Sequence, residues 1–426
     1  MLDRTVAPPI AEINDIALLR AKRTNLSNGI PVWLLNAGTQ EVAKIEFLFC
    51  AGTRDQSQPL VASGVNDMLD EGTPTRSATE IAETLDYYGA FIESETSQDM
   101  AGFTLYTLNK HLEATLPIVE DALKNAAFPE SEFGIYLANK KQKYLVDSEK
   151  VANLARREFP PLLFGKDHPY GTRATLEDFS RVDRGRLQEF HRNCYTAKRC
   201  SIIVSGKVNE RHLQLLEKHF GGKDWEGQAI AKPGFSAPLS DTVREHTLLK
   251  PNAIQSAIRM GRLLFNKTHP DWHGMQVLNT VTGGYFGSRL MGNIREDKGY
   301  TYGIGSGLVS LWDGGYFVIA TEVGAQVCTA ALNEIYKELD ILQNDLVPDE
   351  EMSLVRNYMT GTFLRSTDGP FALADRLKAL LGYGLDYDYY TKFLHTIRTI
   401  TPEELRELAR KYFNKTEMVE LVAGKR

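Results

Sequence analysis

The sequence predicts an α+β protein of two similar domains related by internal duplication, each a mostly antiparallel sheet with helices packed on one face. Three observations carry that prediction. The order of elements in residues 22–206 recurs, with altered sequence, in residues 243–424. Each half mixes segments that alternate apolar and polar at period two with amphipathic stretches long enough for helices of three turns or more. Turns of the Asp-Gly-Gly kind between the alternating segments argue for antiparallel pairing, with the helices segregated to one side.

In the first half, Lys44–Cys50 reads as a strand, with Ile45, Phe47 and Phe49 on one face. Leu85–Phe91 leads into a second strand, which a turn at Ser97-Gln98-Asp99 joins to Gly102–Leu108. A helix follows from about His111 to Asn125, and Phe128-Pro129-Glu130 introduces another. Ser201–Gly206 closes the half as a strand.

The second half repeats the series. Glu296–Tyr302 leads into a strand, a turn falls at Asp313-Gly314-Gly315, and Tyr316–Thr321 is the next strand. Leu332, Ile335, Leu339 and Leu342 mark the following helix, Val347-Pro348-Asp349 opens another, and Glu420–Gly424 ends the series. The offset between halves drifts only from 210 at Gly89/Gly299 to 218 at Gly206/Gly424, so a few insertions relate them. Ser77–Glu80 and Thr401–Glu404 are capping boxes, the second with Pro402 at the first helical position. The domains are therefore drawn as an N-terminal extension over 1–21, a first domain over 22–225, a Gly- and Pro-containing linker over 226–250 and a second domain over 251–426.

At 426 residues, with 42% hydrophobic and 24% charged side chains, the chain can bury two cores and is neither disordered nor collagen-like. The formal charge of −6 comes without a run of basic residues, which argues against nucleic acid as a partner. Apolar runs such as Ile45–Cys50 are far shorter than the roughly 18 residues that span a bilayer. Residues 1–15 have neither a basic n-region nor an apolar h-region; the Ala7-Pro8-Pro9 lead-in is compatible with a mature exported chain and favours a periplasmic location over a cytoplasmic one. Cys50, Cys194, Cys200 and Cys328 form no CxxC pair and read as small buried hydrophobes, with a Cys194–Cys200 bridge as the alternative.

Motifs with chemistry are few. Among nine histidines, His269 and His273 alone have i, i+4 spacing, but Pro270 opens a helix between them and breaks the shared face that a metal would need. There is no G-x-S-x-G, P-loop or G-x-G-x-x-G. By spacing alone, Gly283-Gly284-Tyr285-Phe286-Gly287-Ser288-Arg289 is a turn before a helix.

Taken together, four segments resemble the pitrilysin/insulinase family of zinc peptidases, in particular its short, mitochondrial-processing-peptidase-like members. They are Gly283–Tyr302, Met68–Thr73, Phe164–Gly171 and Leu26–Ile30, and the likeness runs from about residue 22 to 426. The family's inverted zinc motif H-x-x-E-H lies just before a Met-Leu-x-x-Gly-Thr segment. Here its functional positions fall on Ser63, Asn66 and Asp67, so both histidines and the glutamate are replaced. The family's third ligand, a glutamate further along, falls near Lys143 within Lys140–Tyr144. A metal site needs imidazole nitrogens and an open position for water, so no metal or other cofactor is expected on this chain. Asp67 and Asp70 at i, i+3 are read as a helix-face pair rather than an acid–base couple.

The resemblance also implies that Arg295 and Tyr302 are the family's Arg/Tyr pair, which contacts substrate around the scissile bond across from a zinc held by the partner half. Arg supplies permanently charged donors and Tyr a phenol donor, suited to negative charge developing on a peptide carbonyl. Gly299 in a left-handed cap would turn the chain from the helix of Arg295 to the strand of Tyr302. Gly283 and Gly284 are expected to help bind substrate. The implied function is that of a non-catalytic, substrate-binding subunit. It would pair with a homologous H-x-x-E-H zinc peptidase subunit, which carries the zinc, and act on peptides or unfolded segments. The alternative is a homo-oligomeric peptide-binding or scaffold protein, in which the isolated chain forms a homodimer.

Overall fold

The computed structural model describes residues 5, 16–227 and 243–426. The N-terminal extension over 1–4 and 6–15 and the linker over 228–242 lie outside the described residues. In the first half the strands are β1 (Lys22–Asn25), β2 (Pro31–Asn36), β3 (Val42–Phe49), β4 (Phe91–Thr96), β5 (Ala101–Leu108) and β6 (Cys200–Gly206). The helices are α1 (Val61–Asp67), α2 (Ala78–Tyr87), α3 (Leu112–Asn125), α4 (Glu130–Glu149), α5 (Val151–Phe164), α6 (Asp178–Arg181), α7 (Arg184–Cys194) and α8 (Glu210–Phe220). The second half has strands β7 (Glu245–Leu249), β8 (Gln255–Leu264), β9 (Ile304–Leu311), β10 (Gly314–Gly324) and β11 (Val419–Gly424). Its helices are α9 (Trp272–Asn279), α10 (Cys328–Asn344), α11 (Asp349–Arg365), α12 (Pro370–Leu381), α13 (Asp388–Thr399) and α14 (Pro402–Tyr412), with π-helical turns at Thr280–Gly284 and Met291–Asp297.

The duplication holds at the level of topology except for the edge strand β1, which has no counterpart in the second sheet. The first sheet runs β1-β2-β6-β3-β5-β4 and the second β7-β11-β8-β10-β9. Each contains one parallel pair, β2 with β6 and β7 with β11, and is otherwise antiparallel. The paired glycines share a backbone: Gly89 and Gly299 have φ of 61° and 65°, Gly206 and Gly424 have 122° and 132°. At the first pair the left-handed residue ends a helix; at the second a side chain would strike Val42 O and Ser256 Oγ.

Three readings of the sequence shift. Residues 245–249, placed in the linker, form β7, because their alternation is completed by pairing with β11. The second hairpin turns at Trp312-Asp313, with Leu311 opposite Gly314, a step earlier than Asp313-Gly314-Gly315. Cys50 is exposed rather than buried, since β3 ends at Phe49 and the alternation no longer governs its side chain. Cys194, Cys200 and Cys328 are buried free thiols, and Cys194 and Cys200 are not bridged.

Both capping boxes form. Glu80 N–H donates to Ser77 Oγ at 3.2 Å while Ser77 N–H donates to Glu80 at 2.8 Å; Thr401 and Glu404 repeat this at 3.2 and 2.9 Å. On α10, Leu332, Ile335, Leu339 and Leu342 are all buried in the second core, as their spacing predicts.

Each half lends a helix to the other. Ala155, Phe159, Leu163 and Phe164 of α5 pack on Ala257, Val419, Leu421 and Ala423 of the second sheet. In return Leu373, Ala374 and Leu377 of α12 pack on Leu35, Leu48 and Ile203 of the first. Polar contacts reinforce the exchange. Buried Arg54 donates to Asp99 at 2.9 Å and to Asp313 of the opposite hairpin, while Trp312 N–H donates to Asp99 at 3.0 Å. Lys378 of α12 lies 3.2 Å from the fully buried Glu46 carboxylate, which Lys44 also approaches at 3.2 Å. No described helix is long and apolar enough to cross a membrane.

Candidate functional site

The zinc-motif positions lie on α1, and each has a different occupation. Ser63 Oγ donates to Leu60 O at 3.4 Å. Asn66 is fully buried. Its Nδ2 donates to Glu95 O and Gly102 O, both at 3.1 Å, and its Oδ1 accepts from Tyr195 Oη at 3.0 Å. The amide thus ties α1 to the β4–β5 hairpin and to the end of α7, with its hydrogen-bonding capacity largely used. Asp67 accepts from Lys140 Nζ at 2.5 Å and from Tyr136 Oη at 3.1 Å, both on α4.

Lys143, the position nearest the family's third ligand by spacing, is exposed; the residue that meets Asp67 is Lys140, about one helical turn earlier. A single ammonium therefore neutralises the one carboxylate present. Burial, and then the Asp67 charge, push the Tyr136 phenol far above its ordinary range. Burial followed by Asp67 also raises the Asp70 carboxyl. A hydroxyl, an amide committed to backbone carbonyls and an ion-paired carboxylate do not fit a zinc ion. Among the described residues no three His, Cys, Asp or Glu side chains converge. His269 stacks on Phe265 with ring centroids 3.8 Å apart and accepts from Asp271 N–H, whereas His273 meets Gln276, so they share no metal face.

Arg295 and Tyr302 border one cavity. Arg295 lies in the last turn of the π-helical segment Met291–Asp297, where Lys298 N–H reaches back to Asn293 O and Tyr300 N–H to Ile294 O. Gly299, left-handed at φ 65°, makes that reversal. Tyr302 stands two residues before β9, not in it, and is 95% exposed. The segment beneath it is anchored by Thr301, whose hydroxyl donates to Glu322 O at 2.7 Å. Both residues line one open cavity of about 540 Å³, together with Glu296, Tyr300 and Glu322.

The glycine segment meets Arg295 through Phe286. The Arg295 guanidinium lies 4.6 Å from the Phe286 ring centroid, a cation–π contact, and 3.7 Å from Glu296. Gly283 is buried: a Cβ there would come within 2.7 Å of Ser306 N, so the glycine lets the π-helical turn press onto β9. A Cβ on Gly284 would sit 3.0 Å from Asn279. Neither glycine is among the residues that line the Arg295/Tyr302 cavity. Phe286 was not singled out by sequence reasoning; an aromatic residue inside a glycine-rich turn, 63% exposed in the structure, was the available signal.

Comparison with known proteins agrees with this anatomy. Residues 32–158 match the family model described as insulinase (peptidase family M16), and residues 181–359 match the peptidase M16 inactive domain. The chain belongs to the M16 peptidase family. With no H-x-x-E-H in its sequence and an ion pair at the motif's position, it is an inactive-type M16 member.

An uncharacterized zinc protease of Bacillus subtilis, YmxG, is 26% identical over 416 residues, covering 94% of this chain and 98% of its own length. Among solved structures, a peptidase M16 inactive domain from Pseudomonas fluorescens superposes with a TM-score of 0.87 at 23% identity, covering 96% of this chain and 99% of that one. A protease from Helicobacter pylori superposes at 0.83 with 18% identity, covering 96% and 100%. At these identities the superpositions establish the M16 fold of the chain.

Proposed function

We propose that this M16 protein is the non-catalytic, substrate-binding subunit of a heterodimeric zinc metallopeptidase acting on peptides or unfolded segments. One observation carries the reading. The chain retains the Arg295/Tyr302 pair on a solvent-open cavity while its own zinc-motif positions are committed to the Asn66 bonds and the Asp67–Lys140 pair. In the complex the partner, an H-x-x-E-H homologue, holds zinc and water, and Arg295 and Tyr302 donate to the carbonyl oxygen on which charge develops. Phe286 positions the guanidinium. β9 ends its sheet next to Tyr302, so an extended peptide can add to that edge by main-chain hydrogen bonds.

The test is reconstitution. The chain alone, dialysed without chelator, should carry well below one zinc and cleave nothing; combined with an H-x-x-E-H subunit it should form a mixed complex that cleaves peptides. Zinc held at one per chain together with cleavage by the isolated protein overturns the proposal. A stable homodimer that binds peptide and forms no mixed complex replaces it with the peptide-binding scaffold.

A further inference from the structure

A second cavity of about 380 Å³ adjoins the first, sharing Gln255, Thr301, Tyr302 and Glu322 with it. It lies where the lent helix α5 meets the second sheet, between Ala152 and Ala155 on one side and Arg259 on the other. Arg259 stands mid-strand on β8, opposite Ala320 of β10 and Leu421 of β11, so its neighbours across the sheet are apolar. It is half-buried, and among the described residues it has no hydrogen-bond or ion-pair partner.

Half-buried Arg406 shares this isolation at its Nε, whereas other arginines are paired. Arg54, Arg199 and Arg289 each hold a carboxylate, from Asp99, Asp55 and Glu351. Burial lowers the pKa of Arg259, the Tyr316 phenol of β10 works against that, and Arg156 of α5 adds a like charge. A half-buried guanidinium with no protein partner loses part of its water without compensation, and its planar donors match a carboxylate.

Resting on the proposed function, we infer that the Arg259 cavity is a side-chain subsite for an acidic residue, Asp or Glu, of the peptide that passes Arg295 and Tyr302. Tyr302 lines both cavities, so a chain lying across it presents neighbouring side chains to Arg295 and to Arg259. Glu322 stands opposite Ala257, two residues and about 7 Å along the strand from the Arg259 level. Glu322 lines both cavities, so a second acidic side chain at its level of the strand meets a like charge, which gives the subsite a register as well as a charge preference.

The experiment uses the full chain without any partner, so that binding is read apart from cleavage. Fluorescein-labelled peptides carrying a single Glu, or Gln at the same place, are scanned through the sequence and titrated by anisotropy. At one register the Glu peptide should bind on the order of tenfold tighter than its Gln counterpart. Arg259→Met should bring it down to the Gln level, and Arg259→Glu should favour a Lys peptide instead. Thermal melting controls for folding: with no partner lost, Arg259→Met should melt at the same temperature or higher. Equal binding of Glu and Gln peptides at every register, with binding still dependent on Arg295 and Tyr302, overturns the inference alone. A Glu preference that survives Arg295→Ala and Tyr302→Ala overturns the proposed function and leaves the subsite standing. No binding of any peptide overturns both.

Discussion

Lys140 places its ammonium 2.5 Å from the Asp67 carboxylate, on the helix pair where the M16 family's zinc motif would be assembled. A monovalent cation supplied by the protein stands in the charge relationship that a metal would otherwise fill, and the pair needs no imidazole. Both side chains are about one-third exposed, so the pair should be of moderate strength.

A double-mutant cycle of Asp67→Asn and Lys140→Met should give a coupling of about 1 kcal/mol that shrinks in molar salt. Urea unfolding at two ionic strengths measures it. A coupling indistinguishable from zero at low salt would remove the pair as an explanation for the altered motif.

Asn66→Leu should destabilise the fold by about 1 to 3 kcal/mol, because Tyr195 Oη and the Glu95 and Gly102 carbonyls lose a buried partner. Cleavage by a mixed complex should hardly change under conditions where the variant is folded. Loss of turnover at unchanged stability would give Asn66 a part in the chemistry.

Arg295→Ala should cut turnover of the mixed complex by about 10²- to 10³-fold without impairing its assembly. Unchanged turnover would end the assigned role. Phe286→Ala should have a smaller effect, weakening peptide affinity by a few-fold at an unchanged melting temperature, since a cation–π contact at an exposed site is worth about 0.5–1 kcal/mol. Restoration by Phe286→Tyr separates ring support from bulk.

Stability should fall as pH drops below 6.5. Burial lowers the pKa of His168, His191, His212 and His273 below the ordinary value of 6.5. Between their folded and unfolded pKa values the unfolded chain binds more protons, so stability rises with pH through that window and is level above it. His191, whose Nε2–H donates to Leu123 O at 2.8 Å, is buried on α7. Melting temperatures from pH 5 to 8 should show the slope, and His191→Gln should flatten it; a profile unaltered by that change would discount His191 as a contributor.

Much of this architecture is legible in the sequence because it is written twice. Gly89 and Gly299 announce matching helix ends, and Ser77–Glu80 and Thr401–Glu404 announce helix starts, since local geometry restricts the residues allowed there. Arg295 and Tyr302 are named as a pair only by the family resemblance; local geometry gives the Gly299 turn between them. What the sequence hides is non-local. β7 reads as linker until β11 pairs with it, and nothing near Lys140 signals that it will meet Asp67 across a helix pair. The loan of α5 and α12 between halves is equally silent, because an apolar helix face does not name the sheet it will cover.

That loan has a consequence for biosynthesis. The first sheet is complete once Gly206 has emerged from the ribosome, yet Leu35, Leu48 and Ile203 are covered only when α12 follows, roughly 175 residues later. At cellular rates of synthesis the wait is roughly 10 to 35 s. Throughout it the nascent chain displays one bare sheet face and, in α5, one helix whose partner sheet does not yet exist, so apolar surface that the finished chain hides stays open to solvent until translation has passed α12.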